Sequence, residues 1–289
     1  MRELLIFGAN SPLGQACAEA SKSLGVAYHL FSHTPNPGRT QYDFISDSPE
    51  KIKIDSSRQY AAILCSGYTN PDLCRENPLY STRVNVDGMI RLLESFRKND
   101  VIPVYISSDA IFDGKTGKYS ENDSATPINF YGLQKKIVED VVQARFENYL
   151  ILRMSKLLSF SAANLFVKEA LALRALQPVT CFNDLEYAPV FIEDISKFIH
   201  AALTRELYGV FHLAQDESMT RYEQGCRTAR AFGVSTDLVR GKSMNEVQML
   251  ERRPKNTYLL NKKAKNAFGF QFTTYDKYLE LLKTRLAGN

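Results

Sequence analysis

The chain reads as an α/β protein, a doubly wound parallel sheet with a smaller, partly interleaved C-terminal lobe. Three observations predict this. Short apolar runs rich in β-branched and aromatic residues recur through the first half, amphipathic segments separate them, and a glycine-bearing turn follows the first run. Strands alternating with helices imply βαβ units, and a crossover through a helix returns the chain in parallel. With 289 residues the chain can build one large α/β unit or two unequal lobes.

The strand-like runs are Leu4 to Phe7, Val26 to Phe31, Ala61 to Cys65, Val101 to Ser107 and Tyr149 to Arg153, with a short extra strand expected just before Asp43. Between them, Leu13 to Leu24, Thr82 to Lys98 and Phe130 to Arg145 carry apolar residues at helical spacing. The second half is less regular. Helical patterns fall at Asn164 to Leu176, Ile192 to Leu203, Met219 to Phe232 and Thr274 to Leu286, with a strand at Gly209 to Leu213. The expected division is a sheet domain over 1–155 and a second lobe over 156–289, of which 190–214 returns to the sheet.

Composition narrows the class. Hydrophobic residues make up 44% and charged residues 24%, ordinary for a globular protein. A formal charge of +4 without a long like-charge block argues against nucleic acid as a partner. The five cysteines are odd in number and irregularly spaced, which argues against a disulfide framework and against a zinc site, and no metal is expected. No stretch approaches the ~20 apolar residues of a membrane span, and the opening "MRELLIFGAN" is too short for a signal segment. A cytoplasmic enzyme or binding protein with no membrane partner is expected.

"LLIFGANSPLGQACAEA" reads as strand, turn and helix with the skeleton Gly8-x-x-Ser11-x-x-Gly14. In a Rossmann unit such a turn has little side-chain bulk, so backbone N–H groups at the helix start meet a pyrophosphate. Gly8, Asn10, Ser11, Pro12, Leu13 and Gly14 are therefore candidate dinucleotide contacts. Ser11 stands where the motif has its middle glycine; a plain strand-to-helix turn is the competing reading. The second strand is followed by Ser32, His33 and Arg39 rather than by an acid that would chelate a ribose diol, which points to NADP(H), with NAD possible. Asp43 and Phe44 are placed to flank adenine, and Cys65, Ser66 and Gly67 end another strand beside the cofactor.

"FYGLQKK" sets Tyr131 four residues before Lys135, so the two share one helical face. Tyr258 and Lys262 repeat the spacing, and these are read as a solvated helix face. Context separates the pairs. Ser108 ends a strand in "VYISSDAIFDG", and Asn85 lies upstream in "RVNVDG". These blocks resemble the extended short-chain dehydrogenase/reductase family. "SSDAIFDGKTGKYSENDSATPINFYGLQK" is similar more narrowly to the dTDP-4-dehydrorhamnose reductase group, and "ILRMSK", "NLFVK", "GVFHLA" and "RRPKNTYLLNKKAKNAFGF" continue the likeness. The resemblance implies that Tyr131 gives a proton to a carbonyl oxygen, that Lys135 lowers its pKa and holds the nicotinamide ribose, that Ser108 orients the carbonyl, and that Asn85 supports a proton relay.

Departures bear on the substrate. Ala110 stands where dehydratases of the family carry a glutamate after the aspartate, here Asp109, so elimination chemistry is disfavoured. Lys156 replaces an aromatic residue, and Ala16 replaces an acid that can bind a bridging metal. Within a C-terminal basic cluster of Arg252, Arg253, Lys255, Lys262, Lys263 and Lys265, Arg253 is the preferred phosphate contact. Ser108, Asp109, Tyr131, Lys156 and Arg253 make up the expected substrate set. His29, His200 and His212 are read as core or surface fillers. The expected activity is NADPH-dependent reduction of a 4-keto group on a nucleotide-linked deoxysugar by a monomer or homodimer. The alternatives are a regulatory dinucleotide-binding subunit, resembling the methionine adenosyltransferase beta subunit, or a sugar-nucleotide epimerase.

Overall fold

The first apolar run forms β1 (Glu3–Phe7), and the helix α1 (Pro12–Ser23) follows it after a turn capped by the Ser11 side chain. β2 (Tyr28–Ser32), β3 (Thr40–Gln41) and β4 (Tyr60–Leu64) come next, then the short helices α2 (Pro71–Glu76) and α3 (Pro78–Thr82). The chain continues through α4 (Met89–Lys98), β5 (Ile102–Ile106), α5 (Phe130–Arg145) and β6 (Leu150–Met154). This computed structural model describes residues 2–287.

Past β6 lie β7 (Leu157–Leu158), α6 (Leu165–Arg174), β8 (Val179–Phe182), β9 (Glu186–Tyr187), β10 (Val190–Phe191) and α7 (Ile192–Thr204). The chain ends through β11 (Gly209–Leu213), β12 (Met219–Thr220), α8 (Arg221–Ala231), β13 (Val239–Lys242), α9 (Lys262–Phe268) and α10 (Tyr275–Ala287). The main sheet has seven strands in the order β11-β6-β5-β4-β1-β2-β3. All its pairs are parallel, and β11 joins the edge with Gly209 opposite Leu150 and Leu213 opposite Met154.

Alternation along each strand feeds two apolar layers. Leu4, Ile6, Ala61, Ile63, Val104 and Leu152 face Cys17 of α1 and Ile195 and Ile199 of α7. Leu5, Phe7, Ala62, Leu64, Tyr105 and Ile151 face Leu92, Phe96, Val138 and Val142 of α4 and α5. Because strand order reverses between β1 and β4, a crevice opens at the C-terminal ends of those strands, where such sheets hold ligands. Beyond the sheet, β7 pairs β10, β13 pairs β8 in parallel, and β12 pairs β9 antiparallel.

Three elements differ from the pattern in the sequence. The helix expected from Thr82 to Lys98 is regular only from Met89, because Arg83–Gly88 forms a π turn. Such widened turns commonly mark functional sites. Met219 and Thr220, expected as helix, form a strand instead, and Thr220 caps α8 through a reciprocal pair with Glu223. Tyr258 is not on a helix: α9 begins at Lys262, and the Tyr258 hydroxyl donates to the Asp216 carbonyl at 2.7 Å. The second Tyr-x-x-x-Lys spacing is therefore a loop contact and not a helix face.

Candidate active site

A cleft of ≈ 320 Å³ lies over the first turn. Gly8, Asn10, Ser11, Ser32, His33, Asp43, Phe44, Cys65, Ser66 and Gly67 line it, joined by Thr34, Tyr68, Tyr80 and Val84, which the sequence did not single out. Gly8 has φ +80, and a Cβ there would meet the Cys65 carbonyl carbon at 2.8 Å, so only glycine fits this turn. At Gly14 a Cβ would lie 2.4 Å from the Gly8 oxygen, which explains how closely α1 crosses β1. The Ser11 hydroxyl accepts from Gly14 N at 3.0 Å and keeps its own proton to donate outward. A small-residue turn at the N-terminus of a 12-residue helix thus fits a dinucleotide pyrophosphate.

The rest of the expected cofactor set divides. Pro12, Leu13 and Gly14 sit in the first turn of α1 behind the lining, and Arg39 lies in the loop beyond β2, also outside it. Asn10 donates to Thr34 Oγ1 at 2.7 Å and ties that loop to the glycine turn. The Asp43 carboxylate accepts from Ile45 N at 2.7 Å and lies 3.2 Å from His33 Nδ1, so this acid does enter the cleft, from the loop after β3. Phe44 is packed against Phe7 and Tyr42 in the core.

A second cleft of ≈ 350 Å³ opens between the loops that follow β4 and β5 and the segments that follow β6. Ser108, Asp109, Tyr131, Lys156 and Arg253 all line it. Asn129 and Arg221 also line it, among largely apolar walls that include Phe166, Phe182 and Met244. Ser108 caps the turn after β5, its Oγ accepting from Ala110 N at 3.1 Å and donating to Asp109 Oδ1 at 3.0 Å. Asn129 caps α5, its Oδ1 accepting from Gly132 N at 2.8 Å, and this sets Tyr131 in the first turn. Gly132 lets that turn reach the Ser108 loop, since a Cβ there would lie 2.0 Å from the Ala110 oxygen.

Lys135 is buried and lines neither cleft, though a Cβ at Gly67, which lines the first, would lie 3.9 Å from its Nζ. Its Nζ donates to the Ile106 carbonyl at 2.8 Å and stands 4.8 Å over the Tyr105 ring and 5.8 Å from the Tyr131 ring centroid. Burial draws its pKa down to about 8, against the pull of Glu139. Burial and the Asp109 charge together push the Tyr131 phenol well above its ordinary value, with the Ser108 hydroxyl opposing. The lowering expected from Lys135 is not found, since only the Ser108 hydroxyl acts in that direction: a phenol packed against Cys74 and Ala110 keeps its proton, as a proton donor must.

Asn85 is committed to the backbone of the loop after β4. Its Oδ1 accepts from Tyr68 N at 2.7 Å, and its Nδ2 donates to Tyr68 O at 2.8 Å and to Gln134 Oε1 at 2.8 Å. Asn85 thereby connects the loop lining the first cleft to the helix carrying Tyr131 and Lys135. Gln134 completes the link by donating to Ser81 Oγ at 3.0 Å.

The basic cluster does not act as a unit. Lys255 pairs with Asp184 at 2.9 Å, Lys265 with Asp216 at 2.7 Å, and Lys263 donates to the Val210 carbonyl at 2.7 Å. Arg253 alone of the six lines the cleft, with one nitrogen on Asp72 at 2.8 Å. Arg221, missed in the sequence, is buried against Glu169, 52 positions away, and stacks 5.0 Å from the Phe166 ring. Only its place after the capping threonine hinted that its position is fixed.

Comparison with known proteins places this geometry in a family. The chain is 25% identical over 254 residues to methionine adenosyltransferase 2 subunit beta of Xenopus tropicalis, covering 83% of this chain and 75% of the relative. It is 27% identical over 270 residues to a probable low-salt glycan biosynthesis reductase of Haloferax volcanii, covering 88% of each. Its fold matches the crystal structure of dTDP-4-dehydrorhamnose reductase from Bacillus anthracis in complex with NADP, with TM-score 0.86, 20% identity, and 99% of this chain and 100% of that one covered. The pattern of the RmlD substrate binding domain family matches residues 1–287, and the chain belongs to that family.

Proposed function

We propose that the chain is an NADPH-dependent ketoreductase that reduces the 4-keto group of a nucleotide-linked deoxysugar, in the cytoplasmic supply of precursors for a polysaccharide or glycan. The observation that carries the reading is the meeting of Ser108 and Tyr131 in one cleft, with Lys135 one turn along the same face of α5 and its Nζ held on the Ile106 carbonyl. The family and the fold shared with an NADP-bound reductase support it. The absence of an acid at the end of β2 favours NADPH over NADH, which is the weaker cofactor in this reading.

A bound dihydronicotinamide supplies the hydride. Ser108 donates a hydrogen bond to the carbonyl oxygen, orienting the keto carbon, and Tyr131 gives its proton to that oxygen as negative charge develops. Lys135 holds the nicotinamide ribose hydroxyls and stabilises the phenolate left behind. Asn85 keeps the Tyr68 loop and α5 in register. Asp109, Lys156 and Arg253 contact the substrate, Arg253 at its phosphates.

Replacing Tyr131 with phenylalanine removes the phenolic hydroxyl, and with it the donated proton, while keeping the ring. Tyr131→Phe should retain NADPH binding while its turnover of 4-keto sugar nucleotides falls by at least ~10²-fold. A variant that works at the wild-type rate rejects the mechanism. The likeness to methionine adenosyltransferase beta subunits favours a second reading, a dinucleotide-binding regulatory subunit. Co-purification with a partner enzyme, together with no NADPH oxidation against a panel of keto-sugar nucleotides, selects it over the reductase. Cofactor that survives purification tightly bound selects an epimerase.

A further inference from the structure

Glu139 stands one helical turn past Lys135, and the positions 131, 135 and 139 fall on one face of α5. It is 1% exposed. A carboxylate that deep needs full pairing. Arg153 of β6 supplies it through Nε, 3.1 Å from each oxygen, and through Nη2 at 2.7 Å from Oε2. Ser107, the neighbour of Ser108, donates its hydroxyl to Oε1. Arg153 itself is steered by the Glu121 carbonyl at 3.4 Å and by the ring of His212 at 3.5 Å, an imidazole that burial keeps neutral. The carboxylate, carried by the helix that bears Tyr131, is thus tied to the segment after β5 that bears Ser108.

We propose that Glu139, held by Arg153 and Ser107, is a positioning residue for the reductase chemistry: it keeps the buried Lys135 ammonium charged and aimed at the site. This rests on the reductase reading given above. Besides Glu139, Lys135 meets the Tyr131 and Tyr105 rings, the Ile106 carbonyl, and the thiols of Cys65 and Cys74, and burial pushes both phenols and the Cys74 thiol upward. Burial alone drives the lysine towards its neutral form, and Glu139 is the largest influence acting the other way. Near pH 7 the ammonium survives because that carboxylate is there. An uncharged lysine loses its hold on the phenolate that Tyr131 becomes.

Glu139→Gln alone leaves Arg153 buried without a partner, so the test adds Arg153→Met, which removes that charge as well. The proton on Lys135 is followed by NMR of protein carrying ¹³Cε-lysine, its resonance assigned through Lys135→Arg. We expect a wild-type midpoint near the value of about 8 and a midpoint at least about one unit lower in the double variant. NADPH turnover by the double variant should be at least about fivefold below wild type at pH 8 and return towards it at pH 6. An unchanged midpoint, or a loss of turnover equal at both pH values, overturns the proposal. A wild-type protein that turns over no keto-sugar nucleotide rejects the reductase reading, while the titration still decides the role of Glu139.

Discussion

At the scale of single residues, the catalytic candidates are set by what their neighbours lack. Gly132 follows Tyr131 because the first turn of α5 meets the Ala110 oxygen with no room for a side chain. Gly132→Ala should lose about 1–3 kcal/mol of stability through overpacking. It should also slow turnover by pushing Tyr131 away from Ser108, and denaturant midpoints and NADPH oxidation rates read the two effects separately. A fully stable, fully active Gly132→Ala protein contradicts this account of the contact. Ala110 shows the same economy: it is the methyl group on which the aromatic ring of Tyr131 packs.

Among elements, α5 is the one on which the site turns. Its N-cap, Asn129, accepts from Gly132 N and donates to the Arg252 carbonyl at 3.1 Å, so one side chain fixes both the helix start and the C-terminal segment across the cleft. Asn129→Ala should cost about 1 kcal/mol in stability, as lost caps do. Because the frayed turn carries Tyr131 and not the glycine turn, kcat should fall while NADPH affinity holds. Equal losses in both would show that the cap serves the whole fold instead. The π turn at Arg83–Gly88 is the partner element: a Cβ at Gly88 would lie 2.2 Å from the Phe44 oxygen, so α4 passes the β3 loop nearly in contact while Asn85 reaches Tyr68.

For the whole molecule, the buried His212 beside Arg153 makes stability depend on pH. Burial and the Arg153 charge together lower the His212 pKa to about 3. A base with a depressed folded pKa costs nothing above its ordinary pKa, where both states are neutral. As pH falls from about 6.5 towards that value, the unfolded chain takes up a proton that the folded one refuses, and stability drops by about 1.4 kcal/mol per pH unit. Between pH 7 and pH 5 the wild type should therefore lose about 2 kcal/mol more than His212→Gln in denaturant titrations. Parallel curves for the two proteins would remove His212 from the account.

Local pattern was enough for much of this molecule. Strand and helix periods give the parallel sheet, and α5 runs from Phe130 to Arg145 as its spacing says. Gly8, Ser108, Tyr131 and Lys135 stand out because turns and helix faces are written over a few adjacent residues. What tertiary structure alone decided are the relations between distant segments. The two Tyr-x-x-x-Lys spacings look alike until one is seen as a buried helix face and the other as a loop. The direction of the Tyr131 pKa depends on burial, which no spacing encodes. Arg221 with Glu169, Glu139 with Arg153, and Arg153 with His212 meet across 52, 14 and 59 positions. Charge pairs of that kind leave no periodic mark, because the low-dielectric interior that makes them matter exists only once the chain has folded.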